Sequence, residues 1–217
     1  MGISAFQQTA ELAQPRGARR KAESHRRLLE AARKLFAERG YHATRPADIA
    51  READVANGTF YLHFVDKRAV FSAFSDQVGA EVQALARERL AGVEGFEARL
   101  RAKLEAVLDY AAASPGVLAV AFTDSAVISP AAPAATSLRL RLGELMARAL
   151  RQAIQRGEIR GDYDVELVAR GIVGLIEHAI AYWSASGGLD REALIANVTS
   201  FCTRALVCPA ASKQEVP

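Results

Sequence analysis

Between residues 46 and 63, polar side chains are interspersed with apolar ones. Asn57, Thr59 and Tyr61 carry amide and hydroxyl groups that donate and accept hydrogen bonds. Such groups suit the edges of nucleic-acid bases and backbone phosphates better than they suit a hydrophobic core. The segment therefore indicates recognition chemistry, with no sign of a bond-breaking centre.

Residues that commonly carry catalysis or bind metals are scattered along the chain. The histidines are His25, His42, His63 and His178. They form no H-x-x-x-H pair, and the sequence contains no G-x-S-x-G elbow and no phosphate-binding Gly-rich loop. We therefore expect no enzyme, no cofactor and no metal site. Cys202 and Cys208 lack companion ligands, and we expect small buried apolar residues, not a redox switch.

Two short helices would position the polar side chains. The spacing predicts helices over 46–53 and 57–63, with Thr44 as the cap of the first, after a longer helix over 24–39 that Gly40 ends. The positions that would bury both against the longer helix are Ile49, Ala53, Val55 and Phe60. The connection is too short for an antiparallel pair. This pattern is typical of a helix-turn-helix, whose second helix enters the DNA major groove.

Residues 26–71 strongly resemble the DNA-binding domain of the TetR/AcrR family of regulators. The matching pieces are LLEAARKLFAERGY, Thr44, ADIA, Val55, GTFY, HF and DK. The resemblance implies phosphate contacts from Thr44, Tyr61 and Lys67, with residues 56–59 on the recognition helix. It favours packing for Phe64 and leaves His63 open between packing and binding.

Three positions depart from the family pattern. Asp54 replaces a usual glycine, and Asp tolerates the left-handed backbone that such a turn requires. Ala56 replaces a serine cap, so Asn57 could cap the helix one residue later. Arg45 adds a possible phosphate contact. The predicted DNA-binding residues are Thr44, Arg45, Ala56, Asn57, Gly58, Thr59, Tyr61, His63 and Lys67.

Charge is unevenly distributed along the chain. Residues 1–70 hold 13 Lys/Arg against 8 Asp/Glu, whereas residues 71–217 hold 15 against 17. Positive charge gathered on the first third suits a polyanion-binding surface, although a solvated basic segment would look the same. We predict a flexible basic arm (1–22), a helix-turn-helix domain (23–70), a helical regulatory and dimerisation domain (71–208) and a flexible tail (209–217).

The remaining chain follows helical periodicity throughout, so we predict an all-α fold of about nine helices. Asp66 would cap a fourth helix reaching residue 90. Further helices are predicted at 96–112, 115–124, 136–156, closed by Gly157, 163–185 and 190–207. Residues 129–135, SPAAPAA, form a loop that would serve as a pocket lid or a simple connection.

In the family, the second domain binds a small molecule and dimerises through its last two helices. Four residues with aromatic bulk are candidates for the pocket, although an aromatic side chain at helical spacing is more often part of the core: Tyr110, Phe122, His178 and Trp183. Apolar positions on the last two helices are candidates for the dimer interface: Ile172, Ile176, Leu194, Val198 and Phe201. Gly171 and Gly174 would allow helices to approach closely.

The sequence thus predicts a homodimeric, sequence-specific transcriptional regulator of a palindromic operator. A small-molecule effector of unknown identity would release a repressor from DNA. An activator of the same family and a non-specific architectural DNA-binding protein remain alternatives. No apolar run is long enough to span a bilayer and no secretion signal is visible, so we expect a cytoplasmic protein without a membrane partner.

Overall fold

The computed structural model describes residues 16–122, 138–186 and 190–207, which form nine helices and no strand. In chain order they are α1 Arg16–Ala43, α2 Pro46–Glu52, α3 Asn57–His63, α4 Lys67–Arg89, α5 Phe96–Ala113, α6 Val117–Ala121, α7 Leu138–Gln155, α8 Val165–Ser186 and α9 Arg191–Leu206. The chain divides into two compact units, Met1–Phe74 and Ser75–Pro217. The all-helical prediction is confirmed for the described residues.

The first unit packs α1, α2, α3 and the start of α4 around one aromatic and aliphatic core. Phe36, Ile49 and Phe60 are fully buried there. The Phe36 ring lies 5.3 Å from that of Phe71 and 5.6 Å from that of Phe74, within the range of favourable aromatic pairs. As predicted, the short helices bury Ile49, Ala53 and Phe60, while Val55 is half-buried.

The first helix is longer than predicted. It begins at Arg16, so the predicted flexible arm is wrong for residues 16–22, and residues 1–15 lie outside the described part of the chain. Apolar periodicity missed this segment because residues 17–22 are exposed, and all of them except Gly17 favour helix by intrinsic propensity. Salt bridges from Arg26 to Glu23 and Glu30, each 2.6 Å, support the helix nearby. Gly40, with φ 76°, breaks the helix, which resumes up to Ala43.

The second unit is a helical bundle. α8 packs most extensively on α7, where Arg139 and Glu177 form a 2.7 Å ion pair, and α5 packs on α9, where Arg191 pairs with Asp109. Helices α5, α7, α8 and α9 begin and end within two residues of the predicted limits. α6 begins two residues later than predicted because Gly116 adopts a left-handed conformation, φ 77°, immediately before it, and residues 123–124 of the prediction lie outside the described range.

Helix ends follow the expected chemistry in three places. The Asp66 carboxylate accepts a hydrogen bond from Ala69 N at 2.7 Å and so caps α4, as predicted. Asp190 caps α9 through Glu192 N and Ala193 N. Gly157, with φ 71°, closes α7 as predicted. The predicted loop at 129–135 and tail at 209–217 lie outside the described residues, in which no helix is long and apolar enough to cross a membrane.

Candidate nucleic-acid interface and ligand cavity

The turn between α2 and α3 depends on Asp54. It adopts the left-handed conformation, φ 51°, that the sequence predicted. Val55 N donates to Ala50 O at 3.0 Å and Asp54 N donates to Arg51 O at 3.1 Å, the hydrogen-bond pair of a Schellman motif. Arg27 on α1 donates to both the carbonyl oxygen and the carboxylate of Asp54, each at 3.0 Å. The turn is therefore attached to α1 from both backbone and side chain.

Helix α3 separates a buried face from an exposed polar face. Phe60 is fully buried, whereas Asn57 and Gly58 are exposed, Tyr61 is 55% exposed and Thr59 is half-buried. The helix begins at Asn57 with Ala56 as its N-cap and without a side-chain cap hydrogen bond, so Asn57 does not take over as the cap. The predicted polar groups are therefore available to a neighbouring molecule.

Thr44 has a role inside the domain. Its side chain is fully buried, and its hydroxyl donates towards Gly40 O at 2.8 Å and Leu35 O at 3.3 Å. The N-cap of α2 is the exposed Arg45, so the predicted Thr44 cap is wrong. The phosphate contact expected from the Thr44 side chain is likewise corrected, because its hydroxyl already satisfies carbonyl groups at the end of α1.

Lys67 connects the start of α4 to the end of α1. Its ammonium donates to Tyr41 O at 2.9 Å and to His42 O at 3.4 Å, and lies 4.2 Å from the centre of the Tyr41 ring. Partial burial lowers the pKa of Lys67. These contacts hold one positive charge in a fixed position beside the helix-turn-helix.

His63 packs against α1, the first of the two roles considered for it. Its Nε2 lies 2.7 Å from Ser24 Oγ, and its ring lies 5.5 Å from that of His25. Burial, followed by the charges of His25 and Lys21, lowers the pKa of His63. Phe64 is buried and stacks on His25 at 4.9 Å, as the packing interpretation predicted. These contacts attach the end of α3 to the part of α1 around Ser24 and His25.

The second unit contains an apolar cavity of about 130 Å³. Five stretches of the chain supply its wall: Val82, Gln83, Ala86, Lys103, Val107, Phe122, Leu142, Leu145, Met146, Val173 and Ile176. Lys103 and Gln83 are its polar members. Burial, with a smaller contribution from the charge of Arg99, lowers the pKa of Lys103. An apolar chamber with few polar groups is typical of a small-molecule site.

One face of α8 is exposed and nearly uncharged. Leu167, Gly171, Gly174, His178 and Tyr182 follow one another at three- or four-residue spacing and so share this face. Leu167 and Tyr182 are 70% and 62% exposed. A β-carbon added at either glycine would meet no atom within 4 Å. The face is open enough for another helix to approach closely.

Comparison with known proteins decides the family. Residues 28–74 match the profile described as "Bacterial regulatory proteins, tetR family". Residues 94–206 match that of "Tetracyclin repressor-like, C-terminal domain". The chain belongs to the TetR family. It is a helix-turn-helix transcriptional regulator that binds DNA.

Proteins of similar sequence align with most of this TetR-family chain. The HTH-type transcriptional regulator YdgC of Bacillus subtilis is 26% identical, over 82% of this chain and 90% of its own. The fatty acid metabolism regulator protein of the same organism is 27% identical, over 76% and 86%. The solved structure of the Thermus thermophilus repressor FadR with lauroyl-CoA aligns at TM-score 0.62 and 26% identity, over 87% and 98%.

The structure places only one of the four predicted pocket residues of this TetR-family protein in the cavity wall. Phe122 contributes to the cavity wall, whereas the other three do not. Tyr110 is buried and its hydroxyl donates to Glu81 at 2.7 Å. His178 is exposed, with Nδ1 2.9 Å from Gly174 O, and Trp183 is half-buried. Aromatic type alone did not identify the cavity, because several helices must pack before it exists.

The predicted dimer residues require a correction. Four of them are buried within a single chain: Ile172, Ile176, Leu194 and Val198. Ile176 also lines the cavity. Phe201 is 67% exposed and remains a candidate. The prediction chose the most apolar positions of α8 and α9, and those positions form the core of this unit.

Sequence reasoning also missed Lys103. It lies three residues after Leu100 and four before Val107, so it shares the helix face of apolar residues that the sequence does reveal. A lysine within such a stripe is a usable signal for a cationic group at an apolar site. Gln83 has no comparable signal, because an exposed glutamine on α4 would look the same in the sequence.

Proposed function

We propose that this TetR-family protein is a dimeric repressor that leaves a palindromic operator when a small molecule fills its cavity. The observation that carries the proposal is the course of α4. This helix begins at Lys67, beside the helix-turn-helix, and later supplies Val82, Gln83 and Ala86 to the cavity wall. A ligand that displaces α4 would thereby act on the DNA-binding unit.

DNA recognition is assigned to α3 and its surroundings. Asn57, Thr59 and Tyr61 would contact base edges and phosphates in the major groove, with Gly58 allowing close approach. Arg45 and Lys67 would contact phosphates. The Lys67 ammonium has three protons, so its two carbonyl contacts leave one donor for DNA.

The exposed face of α8 is assigned to pairing with a second copy. A recognition helix of seven residues reads few base pairs, so useful specificity requires two of them related by a two-fold axis. Leu167 and Tyr182 would supply apolar area, while Gly171 and Gly174 would let the partner's backbone come close. The exposed Phe201 on α9 would extend the interface.

Release of DNA needs only modest coupling between cavity and operator. A 100-fold loss of DNA affinity corresponds to about 2.7 kcal/mol of difference in ligand affinity between the bound and released states. Two relatives support a ligand-responsive repressor, since one is a fatty acid metabolism regulator and another is a repressor bound to lauroyl-CoA. Repression, as opposed to activation, depends on where the operator lies relative to a promoter.

The first experiment selects the DNA that the protein retains from random duplexes at about 150 mM salt. We expect a palindrome whose half-sites lie a helical turn or more apart. The Asn57→Ala variant should lose about 1–3 kcal/mol on this operator and relax one position of each half-site. Lys34→Met, which removes a lysine paired with Glu52 away from α3, should leave the selected sequence unchanged.

Retention of all duplexes alike would overturn the specific regulator and leave the architectural DNA-binding protein. Affinity would then follow salt concentration alone, with no difference between operator and random DNA at fixed salt. A motif with a single half-site would overturn the dimeric proposal but keep specific binding.

A further inference from the structure

Among the residues that the structure describes, none balances the charge of the lysine at the cavity of the second unit. Of the eleven wall residues, nine are apolar, and Lys103 and Gln83 are the exceptions. Lys103 makes no hydrogen bond or ion pair with any other residue in the described ranges. A desolvated ammonium without a counter-charge is costly, so this arrangement needs an explanation.

A positive charge that acts on Lys103 makes the imbalance worse. Arg99, one turn earlier on α5, has the same sign and contributes to the lowered pKa of Lys103. Arg99 donates to Val93 O at 2.8 Å and so has its own partner. By contrast, Arg101 and Arg89, also in the second unit, pair with acidic side chains. Lys103 is left as a cationic group at an apolar chamber.

We propose that the cavity binds a carboxylate carried on an apolar body, with the carboxylate on Lys103. The Gln83 amide would donate a second hydrogen bond, and Val82, Phe122, Met146 and Val173 would surround the apolar part. The ligand supplies the missing counter-charge and the wall supplies hydrophobic burial. This inference rests on the proposed function, because it names the chemical class of the effector for the same cavity.

The volume guides the choice of size for the apolar part of a probe. An engineered cavity of about 150 Å³ in another protein holds benzene, so 130 Å³ accommodates about five or six carbon atoms. A long acyl chain exceeds that volume. We therefore take hexanoate as the probe, with hexanamide as a neutral compound of nearly the same shape.

The test measures binding of hexanoate and hexanamide to the full chain by titration calorimetry. For the native protein we expect hexanoate to bind at least about tenfold more tightly than hexanamide. Lys103→Met should reduce the preference to within about twofold while retaining hexanamide binding, which shows that the cavity survives. Lys34→Met removes a lysine from the first unit and should keep the preference.

Equal affinity of the two compounds for the native protein, or no binding of either, would overturn the inference. So would a preference for hexanoate that survives Lys103→Met. A failure of the proposed function can be told apart from a failure of this inference, because release of the selected DNA is measured in a separate experiment. If hexanoate binds through Lys103 but does not release DNA, the carboxylate site stands and the coupling to the operator fails.

Discussion

The recognition residues of the first unit lie on an exposed helix face, whereas those of the second unit line a cavity. In the first, Asn57, Gly58 and Tyr61 lie on the outside of α3, held there by a buried Phe60. In the second, the half-buried Lys103 and Gln83 lie among apolar neighbours in the wall of a recess. An external recognition helix is positioned by a few adjacent residues, whereas an internal cavity requires several helices from distant parts of the chain to pack correctly.

The largest expected effect tests how far α3 depends on its buried side. Phe60→Ala should lower the free energy of unfolding by about 3–5 kcal/mol, because it leaves a cavity beneath the recognition helix. Urea unfolding followed by circular dichroism measures it. Leu62→Ala, on the same helix but 75% exposed, is the control and should change stability by less than about 0.5 kcal/mol. Similar losses in both variants would refute the division of α3 into two faces.

A second large effect concerns the exposed face of α8. The double substitution Leu167→Glu and Tyr182→Glu should weaken self-association at least about 100-fold, because two copies would bring four carboxylates together in an apolar contact. Sedimentation equilibrium without DNA measures the change. Leu62→Glu adds a charge at an exposed apolar residue elsewhere and should leave the association constant as it is. An unchanged dimer in the double variant would move the interface to another surface.

The same contrast explains what the sequence could predict. The helix-turn-helix, the left-handed Asp54 and the capping by Asp66 follow from short-range patterns that are each complete within a few residues. The burial of Thr44 does not, because a threonine before a helix reads as a cap until Gly40 and Leu35 are seen to occupy its hydroxyl.

In the second unit, helix limits were predictable but side-chain roles were not. Periodicity identifies the apolar stripes of α8 and α9, yet Ile172 and Val198 belong to the core and the glycine-containing side of α8 is the exposed one. A long amphipathic helix has one core side, and hydrophobicity alone favours that side over a weaker association surface. The cavity wall needs the packing of α4, α5, α7 and α8, which no local pattern specifies.

A smaller effect should appear at the α2–α3 turn. Asp54→Gly should raise the free energy of unfolding by about 0.5 kcal/mol, because glycine relieves the left-handed backbone while only an exposed ion pair with Arg27 is lost. Asp54→Ala should lower it by about 1 kcal/mol, since alanine keeps the strain and loses the pair. Urea denaturation of both variants gives the comparison. If glycine proved as destabilising as alanine, the carboxylate of Asp54 would matter more than its backbone conformation.

The smallest effect concerns pH and tests whether α3 is tied to α1 through His63. Burial, His25 and Lys21 lower the pKa of His63 below that in the unfolded chain, which is about 6.5. The folded state therefore favours the neutral ring, and its contribution to stability is present above pH 6.5 and lost as the pH falls below that value. The urea concentration at the midpoint of unfolding should fall less between pH 7.5 and pH 5.5 in His63→Gln than in the native protein. His42→Gln, which changes an exposed histidine, should behave as the native protein does. An identical pH dependence in both variants would mean that the link between Ser24 and His63 does not control the protonation of this end of the recognition helix.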